Sequence, residues 1–160
     1  MLILALSLLL GGCAANKKQE PKQLSQKYLV ITGEKGMNRD SALTVDVVQV
    51  YDPHIWNELS KLSSTEYFKR KKWILTKNLK VWSIEVTEDF WCIGFALKDY
   101  QDKAEGAVLF ASYQEDKLSK IPLQNYKDCT MLRLGVDQIV AADAYSQDIA
   151  NPTMIEPKKL

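Results

Sequence analysis

The chain has 160 residues, with 21 basic and 20 acidic side chains and a formal net charge of +1. So even a balance creates no field to gather nucleic acid, which excludes it as the main partner. With 46% hydrophobic residues the chain can bury a core; its composition excludes disorder, and its length fits one domain.

The first segment, Leu2 to Leu10, is apolar except for Ser7. It is too short to span a ~30 Å hydrocarbon core, which takes about 20 helical residues. It has the length of the apolar segment of a secretory signal, and small residues follow it, as cleavage requires. Those residues, Leu10-Gly11-Gly12-Cys13, resemble the bacterial lipobox cut by signal peptidase II. The resemblance implies removal of residues 1–12, a diacylglycerol on the Cys13 sulfur and an acyl chain on its new amino group. That covalent lipid is the only cofactor expected. Each buried CH₂ contributes ~0.8 kcal/mol, so several chains anchor firmly in a bilayer. No Lys or Arg precedes the apolar run, a departure from the usual signal. In the lipoproteins that this segment resembles, an Asp after the cysteine favours retention at the inner membrane; Ala14 stands there, so the resemblance implies the other membrane. The expected location is the outer membrane, with the domain facing the periplasm.

Residues 14–26, AANKKQEPKQLSQ, are polar and lack apolar periodicity, as a tether does. Extended, they reach on the order of 40 Å at ~3.3 Å per residue. Lys17, Lys18 and Lys22 suit anionic headgroups and plain solubility equally.

Tyr28 to Thr32 reads as a strand. Gly33 to Ser41, with Gly33, Gly36, Asn38 and Asp40, reads as a loop. Ala42 to Tyr51 alternates, with Leu43, Val45, Val47 and Gln49 on one face and Thr44, Asp46, Val48 and Val50 on the other. Asp52 before Pro53 predicts a capped helix near 53–61. Ser63 and Glu66 form a capping-box pattern for a second helix near 64–72, closed by Lys69-Arg70-Lys71-Lys72 as a solvated basic end. Leu79 to Val86 alternates again, with Trp82, Ile84 and Val86 on one face. Phe90 to Lys98 has the apolar run of a strand covered on both sides. Ala107 to Tyr113 is a further strand. Cys129 to Leu134 and Gln138 to Ala142 form a hairpin around Gly135 to Asp137. The residues beyond, with Pro152 and Pro157, read as a loose tail.

Six or seven short strands with two short helices predict a mainly β fold. The expected form is a two-sheet antiparallel sandwich with helices inserted after the second strand. The expected division is a signal over 1–12, lipidated Cys13 and tether over 13–26, a sandwich over 27–145 and a tail over 146–160.

No catalytic or metal site emerges. The one histidine, His54, has no HExxH or CxxC context and no G-x-S-x-G elbow to serve, so it reads as a surface or capping residue. Glu85, Glu88 and Asp89 read as a solvated turn. In an oxidising periplasm, Cys92 and Cys129 invite a disulfide; two buried free thiols are an equal alternative. The tryptophans fit core packing, or an aromatic groove for a small ligand, glycan or peptide. The latter defines an alternative function, a lipid-anchored binding module.

The stretch YLVITGEKGMNRDSALTVDVVQVY over residues 28–51 resembles the opening of the TssJ family, outer-membrane lipoproteins of the type VI secretion membrane complex. Asn38 matches the family's first loop. Val47-Val48-Gln49-Val50-Tyr51 matches its second strand, and Phe110-Ala111-Ser112-Tyr113 a later one. Two positions depart: Ser41-Ala42 stand where a Pro is usual, and Gln114 stands where an Arg is usual. The resemblance implies a transthyretin-like sandwich without enzymatic activity. It implies tethering of the secretion complex to the outer membrane by docking onto the periplasmic domain of a large inner-membrane partner (TssM-like). By position, the docking loop is Glu34, Lys35, Gly36, Met37, Asn38, Arg39, Asp40 and Ser41, a polar, flexible segment that fits a recognition role and a plain surface connection equally.

Overall fold

The computed structural model describes residues 26–75, 78–87, 92–97, 104–115, 117–126, 128–142 and 153–155. Cys13 and nearly all of the expected tether lie outside them. Among the described residues no helix is long and apolar enough to cross a membrane.

The strands are β1 (Gln26–Gly33), β2 (Leu43–Val50), β3 (Leu79–Val86), β4 (Cys92–Ala96), β5 (Gly106–Ala111), β6 (Lys120–Pro122), β7 (Asp128–Leu134), β8 (Ile139–Ala142) and β9 (Thr153–Ile155). Two helices, α1 (Pro53–Leu59) and α2 (Ser64–Ile74), join β2 to β3. One sheet has the order β8-β7-β1-β4-β9 and the other β3-β2-β5-β6. The expected β-sandwich is the fold, with one refinement: β1 pairs with β7, and β4 with β9, in parallel. The first sheet is therefore mixed. The expected loose tail is also corrected, since Thr153–Ile155 extends that sheet at its edge.

The alternation of β2 builds two cores on one strand. Leu43, Val45 and Val47 enter the space between the sheets, with Leu29, Ile31, Trp82, Phe95, Leu109 and Leu132. Val48 and Val50 face the other way, with Val81, Val108 and Phe110, and are covered by Leu59 and Tyr67 of the helices. The molecule is thus three layers deep: sheet, sheet, helices.

The helices start as their caps direct. Asp52 Oδ1 accepts from the His54 and Ile55 amides at 2.8 and 3.1 Å. Ser63 and Glu66 close their capping box, 3.2 Å from the Glu66 amide to Ser63 Oγ and 3.0 Å from the Ser63 amide to Glu66 Oε2. Lys120 Nζ donates to the Ser60 and Leu62 carbonyls at 2.8 and 2.7 Å, satisfying acceptors left at the end of α1. At Gly106 a Cβ would lie 2.8 Å from the Trp56 ring, so only glycine lets α1 lie this close to β5.

Pairing defines two ends of the sandwich. Tyr28 lies opposite Ala96, and Val50 opposite Leu79 and Gly106. The Gln49 side-chain amide donates to the Leu97 carbonyl at 3.1 Å. The start of β1, the end of β2 and the start of α1 therefore share one pole, the tether pole. The end of β1, the loop after it and the β7–β8 turn share the other, the loop pole.

The same register excludes the Cys92–Cys129 disulfide. Cys92 lies opposite Thr32 on one side of β1; Cys129 lies opposite Tyr28 on the other. Two strand spacings and four residues separate the backbones by roughly 16 Å, against the 7 Å a disulfide tolerates at about its limit. Cys92 is a buried free thiol, packed with Val30 and Met131. Burial pushes its pKa up.

Candidate functional site: the loop pole

The loop after β1 is short and conformationally costly. Gly36 has φ 80°, and Asn38, Arg39 and Asp40 follow a residue later with φ 47°, 55° and 59°. Three successive left-handed residues, none of them glycine, cost roughly 1–2 kcal/mol each. Such strain persists only where the surroundings over-determine it, and it concentrates at functional sites.

The surroundings here do so. Met37 is buried and joins the core between the sheets. Asn38 is also buried, and its amide nitrogen donates to the Ser41 and Ala42 carbonyls at 3.3 and 3.0 Å. Its Oδ1 accepts from the Gln114 amide at 3.4 Å, and its own amide donates to the Gly135 carbonyl at 3.3 Å. The Glu34 amide donates to the Leu134 carbonyl at 2.9 Å. Asn38 thus ties three segments into one surface: the loop after β1, the stretch after β5 and the β7–β8 turn. The segment expected to be flexible is pinned.

Charges alternate across that surface. Arg39 pairs with Glu115, Glu34 with Arg133 at 2.6 Å, and Lys117 with Glu115 at 3.0 Å and Asp137 at 3.4 Å. Hydrogen bonds from Lys117 and Arg39 hold the Glu115 carboxyl below its ordinary range; those to Glu115 and Asp137 push Lys117 up. Burial, then the nearby Glu34 charge, raises the Tyr113 hydroxyl, which donates to the Gln138 carbonyl at 3.0 Å. Around this network Leu118 and Val136 stand 59% and 48% exposed. Ordered polar groups beside exposed aliphatic side chains offer a protein a surface to dock on.

Of the eight loop residues expected to bind a partner, Met37 and Asn38 are buried and shape the loop. Lys35, Arg39, Asp40 and Ser41 are exposed. Sequence reasoning missed Gln114, Glu115, Lys117, Leu118 and Val136, which reach the same pole from distant segments. It also missed Asp46 on β2. That side chain is fully buried, 2.7 Å from the Tyr67 hydroxyl and 2.6 Å from Lys71 Nζ. One signal was available: a lone carboxylate in a stripe of valines demands a cationic partner. His54 is exposed at the start of α1, and Trp82 lies in the inner core rather than lining a groove.

No known protein family and no curated protein matches the chain in sequence. Solved structures do match in fold. Serratia marcescens Lip, a membrane-bound component of the type VI secretion system, aligns at 14% identity with a TM-score of 0.53, over 74% of this chain and 96% of its own. The type VI lipoprotein TssJ1 from Pseudomonas aeruginosa aligns at 13% identity and 0.54, over 74% and 96%. A chain of a type VI membrane complex aligns at 12% identity and 0.54, over 72% and 96%. The chain has the fold of these secretion lipoproteins. The TssJ resemblance read from residues 28–51 and 110–113 thus extends to the architecture, although identity this low carries the fold alone.

Proposed function

We propose that this protein is a non-enzymatic component of a type VI-like secretion membrane complex. It is anchored in the outer membrane through lipid on Cys13 and docks by its loop pole onto the periplasmic domain of a large inner-membrane partner of TssM type. The fold likeness to secretion lipoproteins supports the setting. The observation that carries the docking role is the left-handed run Asn38-Arg39-Asp40, held by Asn38 against two other segments. A plain connection between β1 and β2 has no use for that strain. The geometry fits the anchor too, since the expected tether enters at the opposite pole and leaves the loop facing away from its membrane.

The test is a pull-down from solubilised membranes, with wild type beside a chain whose Glu34–Ser41 segment is replaced by Gly-Ser. The expected result is a large inner-membrane protein captured by wild type and lost from the variant. Capture by neither would refute the secretion role. Capture by both would move the interface away from this loop.

A further inference from the structure

The helical layer leaves an outer face that the docking role does not use. Trp73, near the end of α2, is 86% exposed. It stands at the rim of an open cleft between α1 and α2, about 350 Å³ in volume, with Ile55, Leu59 and Leu62 in its lining. Lys61, Lys69, Arg70 and Lys72 project from the same layer, all exposed, and none of the four makes an ion pair with a described residue. Against them stand Glu58 and Glu66, and Glu66 already caps the Ser63 amide. Lys71, within the same basic run, turns inward to Asp46. Folding therefore uses one cation of that run and leaves three exposed, of which Arg70 lines the cleft with Trp73.

We infer that this face is a membrane-docking surface, seated on anionic phospholipid with Trp73 at the headgroup level. The composition fits that occupant. An indole is amphipathic and favours the boundary between headgroups and acyl chains. Cations on flexible stems suit phosphates that move laterally. Placement fits as well. The strand that receives the tether begins at the pole where α1 begins. A tether over residues 13–25 reaches on the order of 40 Å from its lipid, enough for the domain to roll its helical flank onto the bilayer. The inference rests on the lipid-anchor reading, and it adds an orientation: the helical flank on the membrane, with the loop pole at the end of the sandwich remote from the tether.

The test uses the full lipidated chain in vesicles of phosphatidylcholine with brominated acyl chains, with and without phosphatidylglycerol. Flotation reads the anchor, and tryptophan quenching reads the surface. We expect flotation in both lipids and several-fold stronger quenching with phosphatidylglycerol. That increment disappears in Trp73→Phe and in the triple variant Lys69→Gln, Arg70→Gln, Lys72→Gln, while flotation persists. Quenching that ignores phosphatidylglycerol, or survives Trp73→Phe unchanged, overturns the surface and leaves the anchor standing. Failure to float refutes the anchor itself. If Trp73 stays unquenched in vesicles but becomes shielded from acrylamide in the solubilised complex, its occupant is a protein and the membrane assignment fails.

Discussion

The loop pole and the helical layer are opposite solutions to joining strands. From Gly36 to Asp40 the chain breaks local rules, holding three left-handed residues by contacts that come from far along the sequence. From Asp52 to Ile74 it keeps them: an aspartate cap, a capping box and a tyrosine packed onto β5 with rings 4.1 Å apart and nearly parallel. The one departure in the helical layer is buried charge, Asp46 with Lys71. The two regions store their information in different places. The loop's shape lies in strain that other segments impose, whereas the layer's shape is local and its surface chemistry is free for use.

Substitutions that break this contrast should differ in size. Lys71→Met leaves the Asp46 carboxylate buried without its cation and should cost about 3–5 kcal/mol in urea unfolding. The apolar trio Asp46→Leu, Tyr67→Phe and Lys71→Met should regain most of that loss. In the loop, Asn38→Ala removes bonds to Ser41 and Ala42 and places alanine at φ 47°. It should cost about 2–3 kcal/mol, with Asn38→Gly costing about 1 kcal/mol less because glycine accepts the angle. Asp40→Gly relieves strain at φ 59° and should stabilise by up to about 1 kcal/mol in thermal unfolding while weakening partner capture. The smallest effect is electrostatic. Glu115 should titrate below its ordinary 4.5 by carboxyl NMR, held there by Lys117 first and Arg39 second. Because its pKa is lowered, its contribution is present above that ordinary value and fades as pH falls through the lowered one. Arg39→Gln should move the midpoint back up.

The same contrast explains what was legible beforehand. Both faces of β2, the alternation of β3, the helix caps and the β7–β8 hairpin follow from local period and capping chemistry. The parallel pairing of β1 with β7 joins segments about a hundred residues apart, as Leu29 with Thr130 illustrates, and no local signal encodes it. β6 went unread because three residues ending in Pro122 look like a turn, although a proline is tolerated at an edge. β9 hid among the prolines of the apparent tail. The Cys92–Cys129 pairing failed because β1 runs between the two strands that carry them. At the loop pole the sequence marked Asn38 and the glycines but made the segment flexible, since the groups that pin it belong to Gln114 and Gly135.

In the proposed arrangement the loop pole meets the inner-membrane partner while the helical layer faces the bilayer. Site-specific photocrosslinking in cells, from position 40 in one strain and position 73 in another, tests it most directly. The expected result is a crosslink to a large inner-membrane protein from position 40 and none to that protein from position 73. The reverse pattern, or no such crosslink from position 40 in cells where the secretion complex is assembled, would contradict it.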